Sequence, residues 1–251
     1  MKKAVLLIHG YATDKTDFAP IIPYLEGIYD CVYAKNIPGH GLDRQDHLKN
    51  FNAIDSIKAV DSWAEELFAN YDIVDVIGFS MGGAIATYLA TKHKFGKVVL
   101  LAPANKYING AVGFSRTKLY LDYLGSRIIG KQNKTAEIHK EAIADDKKSL
   151  NMAVKRLIPS YTPKSLLQFT QLIDYCNYKL MDGFITSPTL IVYGSVDQLV
   201  PKSSINFVKK YSKNAKVVLL NGISHLMFNS TNVRELTETI LNFLCKDDIN
   251  E

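Results

Sequence analysis

The sequence predicts an α/β protein: a mainly parallel sheet of about six strands flanked by helices, with one long helical insertion. Two observations predict it. Short, nearly continuous apolar runs alternate with longer amphipathic stretches, the pattern of strands buried on both faces and joined by helices. Right-handed crossovers then carry successive strands across the sheet. That rhythm breaks once, between Ala104 and Ile185, where strand-type runs give way to helical patterns rich in Lys, Tyr and Gly. A segment of roughly 80 residues is too long for a bare loop and should hold its own helices. The chain therefore divides into a core, residues 1–103 and 186–251, and a helical insertion, residues 104–185.

Taken in order, Ala4–Ile8 is the first buried strand and Val32–Lys35 a weaker second. Ile54–Asn70 has helical spacing in Ile54, Ile57, Val60, Ala64 and Leu67, with Asp55 suited to begin its first turn. Ile73–Phe79 is the third strand and runs directly into the helical stretch Met81–Lys92. Lys97–Ala102 is the fourth, ended by Pro103. Beyond the insertion come strand Thr189–Gly194 and helix Pro201–Lys210, whose proline suits the first helical position. Strand Lys216–Leu220 and the terminal helix Asn232–Cys245 complete the pattern.

Composition bounds the function. The chain is 47% hydrophobic and 22% charged, which argues against any long disordered stretch. Cys31, Cys176 and Cys245 are odd in number and far apart, without CxxC or Cys/His ligand spacing. Neither a disulfide framework nor a metal site is expected, and reduced thiols fit a cytoplasmic protein. The apolar run Ala4–Ile8 is shorter than a signal-peptide core, and no stretch approaches the ~20 apolar residues that span a bilayer. The net charge of +5 is uneven: Ala104–Thr186 carries 13 Lys/Arg against 7 Asp/Glu, and the rest 17 against 18. Such a segment is either a solvated helical surface or a weak contact for anionic substrates or an anionic membrane surface. Without a dense Lys/Arg block and interleaved aromatics, nucleic acid is not an expected partner.

The strongest local signal is Gly78-Phe79-Ser80-Met81-Gly82, a G-x-S-x-G pattern lying between a strand run and a helix. The chain must reverse sharply there while holding Ser80 in a strained conformation, so small residues are needed on either side. Ser80 then projects above the carboxyl edge of the sheet, beside a helix N-terminus that favours a developing anion. A serine needs a base within hydrogen-bond reach to act as a nucleophile. Of the six histidines, only His225 follows the last strand, in the loop NGISHLMF before the terminal helix. His9, at a strand end, and His93, at a helix end, should not reach Ser80.

The base in turn needs a carboxylate to orient it. Asp197, in LIVYGSVDQLVP, lies just past a strand end on the same edge and completes the chain order Ser, Asp, His. An aspartate at that place also suits a turn or a helix cap. Negative charge developing on a carbonyl oxygen calls for preorganised N–H donors. The backbone N–H of Met81, next to Ser80, is one candidate, and that of Tyr11 in His9-Gly10-Tyr11 is the other.

With these residues assembled, the sequence resembles the α/β-hydrolase superfamily over nearly its whole length, and within it small bacterial carboxylesterases and monoacylglycerol-lipase-like serine hydrolases. The resemblance rests on His9-Gly10, Pro38-Gly39-His40-Gly41, the Ser80 turn, Asp197 with Val200-Pro201, and His225. It implies a serine hydrolase cleaving a small-molecule carboxylic ester through an acyl-enzyme on Ser80, with no cofactor and no metal. Family members often begin with two further strands, which here are not expected. The insertion takes the place of the family's cap, and Phe114, Tyr120, Tyr123, Leu124 and Phe169 are candidates for lining its acyl pocket. The same triad could serve a thioesterase, a peptidase or another acyl-transfer enzyme, since fold does not fix reaction. A slow-turnover receptor on the same scaffold is the rival from another class.

Overall fold

In a computed structural model of the protein, the described residues are 1–41, 48–106, 163–229 and 233–246. Among the described residues six strands, β1 (Lys3–Ile8), β2 (Cys31–Ala34), β3 (Ile73–Phe79), β4 (Val98–Leu101), β5 (Thr189–Gly194) and β6 (Ala215–Leu220), form one sheet in the order β2-β1-β3-β4-β5-β6. Every pairing is parallel. The register aligns the carboxyl ends: Ile8 faces Gly78, Phe79 faces Leu101 and Gly194 faces Leu220. Strand order reverses between β1 and β3, because the chain steps outward to β2 before crossing back. A crevice opens at such a switch point, outside the carboxyl ends of the two strands.

Side chains alternate between the two faces of the sheet. Ala4, Leu6 and Ile8 pack on one face, with helices α2 (Ala53–Asn70), α3 (Met81–Lys92) and α4 (Pro163–Met181). Val5 and Leu7 pack on the other, with Leu190, Val192 and the inner face of α6 (Val233–Leu244). β6 is an edge strand and leaves Val217 and Leu219 exposed. The short α1 (Ile22–Leu25) and one-turn 3₁₀ segments at Lys15–Phe18 and Met227–Asn229 have three or four residues each, too few for a periodic signal. The helix α4 lies inside the segment 104–185, and its stripe Phe169, Leu172, Ile173, Cys176 and Leu180 is buried in the same core as the sheet.

Helix starts differ slightly from the sequence reading. Asn52 caps α2, its side-chain oxygen accepting from the N–H groups of Ile54 and Asp55 at 2.9 and 3.1 Å. Asp55 therefore sits within the first turn. Helix α5 (Lys202–Lys210) begins one residue later than expected, with Pro201 extended at the cap position (φ −74°, ψ 151°). A buried polar clamp holds the amino end of β3. Asp75 accepts from Tyr29 Oη and from the Lys97 N–H, both at 2.6 Å. Burial raises the Asp75 carboxyl above its ordinary value, against the lowering effect of those two hydrogen bonds. The three cysteines are unpaired. Among the described residues no helix is long and apolar enough to cross a membrane.

Candidate active site

The turn from β3 into α3 puts Ser80 at φ 53°, ψ −115°, a region an L-residue occupies only under strain. Two glycines make that turn possible by close approach. A Cβ on Gly82 would lie 2.0 Å from the Ile8 carbonyl oxygen, and one on Gly78 2.4 Å from the Gly82 carbonyl oxygen. The backbone of Ser80 is tied at both ends: its N–H donates to Leu101 O at 2.9 Å, and its carbonyl accepts from Ala104 N–H at 3.0 Å.

Asp197 and His225 meet Ser80 from the neighbouring strand ends. The loop after β6 lies directly on the end of β5, with Val196 N–H donating to Ile223 O at 3.2 Å. A Cβ on Gly194 would come within 2.1 Å of that same oxygen. The contact delivers His225 to Asp197. His225 Nε2 is 2.9 Å from Ser80 Oγ, and its Nδ1 is 2.8 Å from Asp197 Oδ2. Asp197 Oδ1 accepts from the N–H groups of Leu199 and Val200 at 2.9 and 3.0 Å, so both carboxylate oxygens are engaged. Its side chain is fully buried. Asp197 thus serves the turn and faces the imidazole at once, the two uses open to it in the sequence.

Met81 is the first residue of α3, so its N–H has no acceptor within the helix. Gly10 brings the loop after β1 against the serine: a Cβ there would lie 3.3 Å from Ser80 Cβ. Tyr11 follows, its phenol 3.0 Å from Ser165 Oγ and its ring against Phe169, centroids 4.8 Å apart. Phe169, one of the five candidate pocket residues, is therefore buried beside the Tyr11 side chain. Phe114, Tyr120, Tyr123 and Leu124 lie outside the described residues.

Among the described residues, His9 and His40 near the site make contacts other than with Ser80. His40 is buried, its ring edge-on to Phe51 and His9. Gly39 and Gly41 on either side have φ 85° and 67°, which the Pro38–Gly41 turn needs glycine to provide. His9 Nε2 accepts from Ile37 N–H at 2.9 Å. Away from the site, His93 pairs with Asp61 at 2.7 Å. Asp61, Glu65 and His93 place three ligand-type atoms within 4.8 Å of one another, but the Lys92 ammonium bonds both carboxylates, at 2.5 and 3.1 Å. That cluster reads as an ion-paired surface.

The parallel sheet flanked by helices defines a fold class, and comparison with known proteins agrees with it. Residues 3–229 match the sequence model of the alpha/beta hydrolase fold, and the chain belongs to that family. A Mycoplasma pneumoniae protein named as an esterase/lipase is 28% identical over 234 residues, covering 88% of this chain and 81% of its own. The pimeloyl-(acyl-carrier protein) methyl ester esterase of Neisseria meningitidis is 24% identical over 247 residues, covering 91% and 88%. The structure of Paleococcus ferrophilus monoacylglycerol lipase is similar in fold, with a TM-score of 0.66 at 21% identity over 96% of this chain and 93% of that one.

Proposed function

We propose that this chain hydrolyses carboxylic esters through an acyl-enzyme on Ser80. The observation that carries the reading is the position of His225, within hydrogen-bond reach of both Ser80 Oγ and Asp197 Oδ2 at 2.9 and 2.8 Å. Ser80 Oγ attacks the ester carbonyl as His225 Nε2 takes its proton. Asp197 holds the imidazole in the tautomer with hydrogen on Nδ1 and stabilises the imidazolium. The Met81 and Tyr11 N–H groups receive the oxyanion, each worth roughly 3 kcal/mol in the transition state. His225 then returns its proton to the departing alcohol. A water attacks the acyl-enzyme as His225 takes its proton, and collapse of the adduct releases the acid while His225 returns that proton to Ser80 Oγ.

The relatives named as esterases and lipases make esters the class to assay first. The name of the Neisseria relative adds a methyl ester of a dicarboxylic acid to the panel. The test compares wild type with Ser80→Ala for labelling by a fluorophosphonate and for turnover of p-nitrophenyl esters from short to long acyl chains. Labelling and turnover that both vanish in the variant support the mechanism. Folded wild type that is neither labelled nor active overturns it. Labelling without ester turnover rejects the ester class and turns attention to thioesters, to peptides or to a receptor role on the same serine.

A further inference from the structure

The loop after β1 carries an unusual concentration of restraint on one carbonyl. Gly10 O faces His9 Nδ1 at 2.8 Å and accepts from Thr13 Oγ1 at 3.0 Å. The proton on His9 can be assigned. Ile37 N–H can only donate, so the Nε2 atom it meets at 2.9 Å is an acceptor. A neutral ring then carries its hydrogen on Nδ1, where it donates to Gly10 O. Both gripping side chains are buried, His9 completely.

The backbone is strained where it brings the second grip into place. Ala12 stands at φ 58°, the left-handed region that a residue with a Cβ avoids. That turn swings Thr13 back beneath Gly10, three residues behind it. Strain at a non-glycine residue persists only where the surroundings over-determine it, and it points to a functional constraint.

Gly10 needs such restraint. Its missing Cβ lets the loop approach Ser80 and the Phe79 ring, from which that atom would be 3.3 Å. Glycine, however, also lets the next peptide plane rotate at little cost. In a trans peptide the N–H points opposite to the C=O, and the described chain has no cis bond. Holding Gly10 O therefore aims the Tyr11 N–H in the opposite direction. A rotated plane would instead present the Gly10 carbonyl oxygen to a developing anion.

We propose that Thr13, together with His9, is a positioning residue that fixes the Gly10–Tyr11 peptide so that the Tyr11 N–H points at the oxyanion. The inference rests on the reading of Ser80 as nucleophile and of Tyr11 N–H as oxyanion donor. Removing an oxyanion donor outright costs about 10²–10³-fold in kcat. Removing one of two grips should cost less, roughly 10-fold.

The experiment uses Thr13→Val, which keeps the shape and loses the hydroxyl, and Thr13→Ser, which restores it. Readouts are kcat and KM on a p-nitrophenyl ester, inhibition by an aliphatic trifluoromethyl ketone and the melting temperature. The ketone adds Ser80 Oγ to its carbonyl carbon, leaving an oxyanion on the former carbonyl oxygen, so its affinity reports the donors directly. The expected result is a roughly 10-fold fall in kcat and in ketone affinity for Thr13→Val, with KM unchanged and Thr13→Ser close to wild type. Wild-type kcat and ketone affinity in a folded Thr13→Val would overturn the proposal. So would equal losses in both variants, or a loss confined to KM, since packing alone explains those. Should Thr13→Val not fold, Thr13→Ala carries the same comparison. Ser80→Ala run alongside separates the two readings: activity surviving in Ser80→Ala rejects the site itself, whereas a dead Ser80→Ala with an unaffected Thr13→Val rejects only the role of Thr13.

Discussion

Asp197 Oδ2 lies 2.8 Å from His225 Nδ1 while its other oxygen is held by two backbone N–H groups. An asparagine in its place could keep the backbone bonds through its oxygen. Its NH₂ would then face Nδ1 and drive the imidazole hydrogen to Nε2, where it opposes the Ser80 hydroxyl. The expected outcome for Asp197→Asn is a fall in kcat of about 10⁴-fold at neutral pH with the fold intact. Steady-state kinetics and circular dichroism check it, and a loss under about tenfold would reject Asp197 as the orienting acid.

Ser80 sits at φ 53°, and its strain is separable from its chemistry. Glycine adopts that conformation without a Cβ penalty of roughly 1–2 kcal/mol. Ser80→Gly should therefore abolish turnover and raise the melting temperature by a few degrees, consistent with about 1 kcal/mol. Ser80→Ala, which keeps the Cβ, should lose activity without that gain. Thermal unfolding of the two inactive variants side by side is the measurement. Equal melting temperatures would show that the turn stores no strain at this residue.

Gly82 probes the tightness of the same turn, and Gly183, which follows α4, is its control. A Cβ on Gly82 meets the Ile8 carbonyl at 2.0 Å, whereas one on Gly183 meets the Thr91 side chain, its Cβ at 3.4 Å and its Cγ2 at 3.7 Å. Gly82→Ala must push α3 off β1 and should destabilise by about 3 kcal/mol or more. Gly183→Ala should stay within roughly 0.5 kcal/mol of wild type. Denaturant titrations decide; similar midpoints for the two would mean that the packing of α3 on β1 gives way easily.

What can be read from the sequence is local. The strand runs and the segment Met81–Lys92 carry their own periodicity, and the order of G-x-S-x-G, Asp197 and His225 follows from position relative to strand ends. The structure brings those three side chains together. Features that depend on contact between distant segments are not legible. The sequence places His9 at a strand end beside Gly10, and its bond to Ile37 exists only because β1 and β2 pair in register. Thr13 resembles any loop threonine until Ala12 turns it under Gly10. The burial of Phe169 against Tyr11 likewise requires α4 to lie across the loop after β1. Pro201 stands one residue before the first helical position that proline favours, because its backbone is extended there (ψ 151°).

The clamp at the amino end of β3 makes a prediction about pH. Burial raises the Asp75 carboxyl above its ordinary value of 3.8, and burial likewise raises the Tyr29 phenol that donates to it. The folded state therefore binds the Asp75 proton more tightly than the unfolded chain does. Below the unfolded value both states are protonated, and the group's stabilising contribution is fully present. As pH rises through the higher folded value the proton leaves, and that contribution is lost. The amide introduced by Asp75→Asn cannot titrate, yet its oxygen can still accept from Lys97 N–H while Tyr29 Oη remains within reach of it. The stability of Asp75→Asn relative to wild type should thus increase with pH from about 3.8 upward and level off once the folded carboxyl is ionised. Urea unfolding of both proteins at several pH values isolates this one group, because all other carboxylates cancel in the difference. A difference that falls with rising pH would mean that the two hydrogen bonds to Asp75 outweigh its burial.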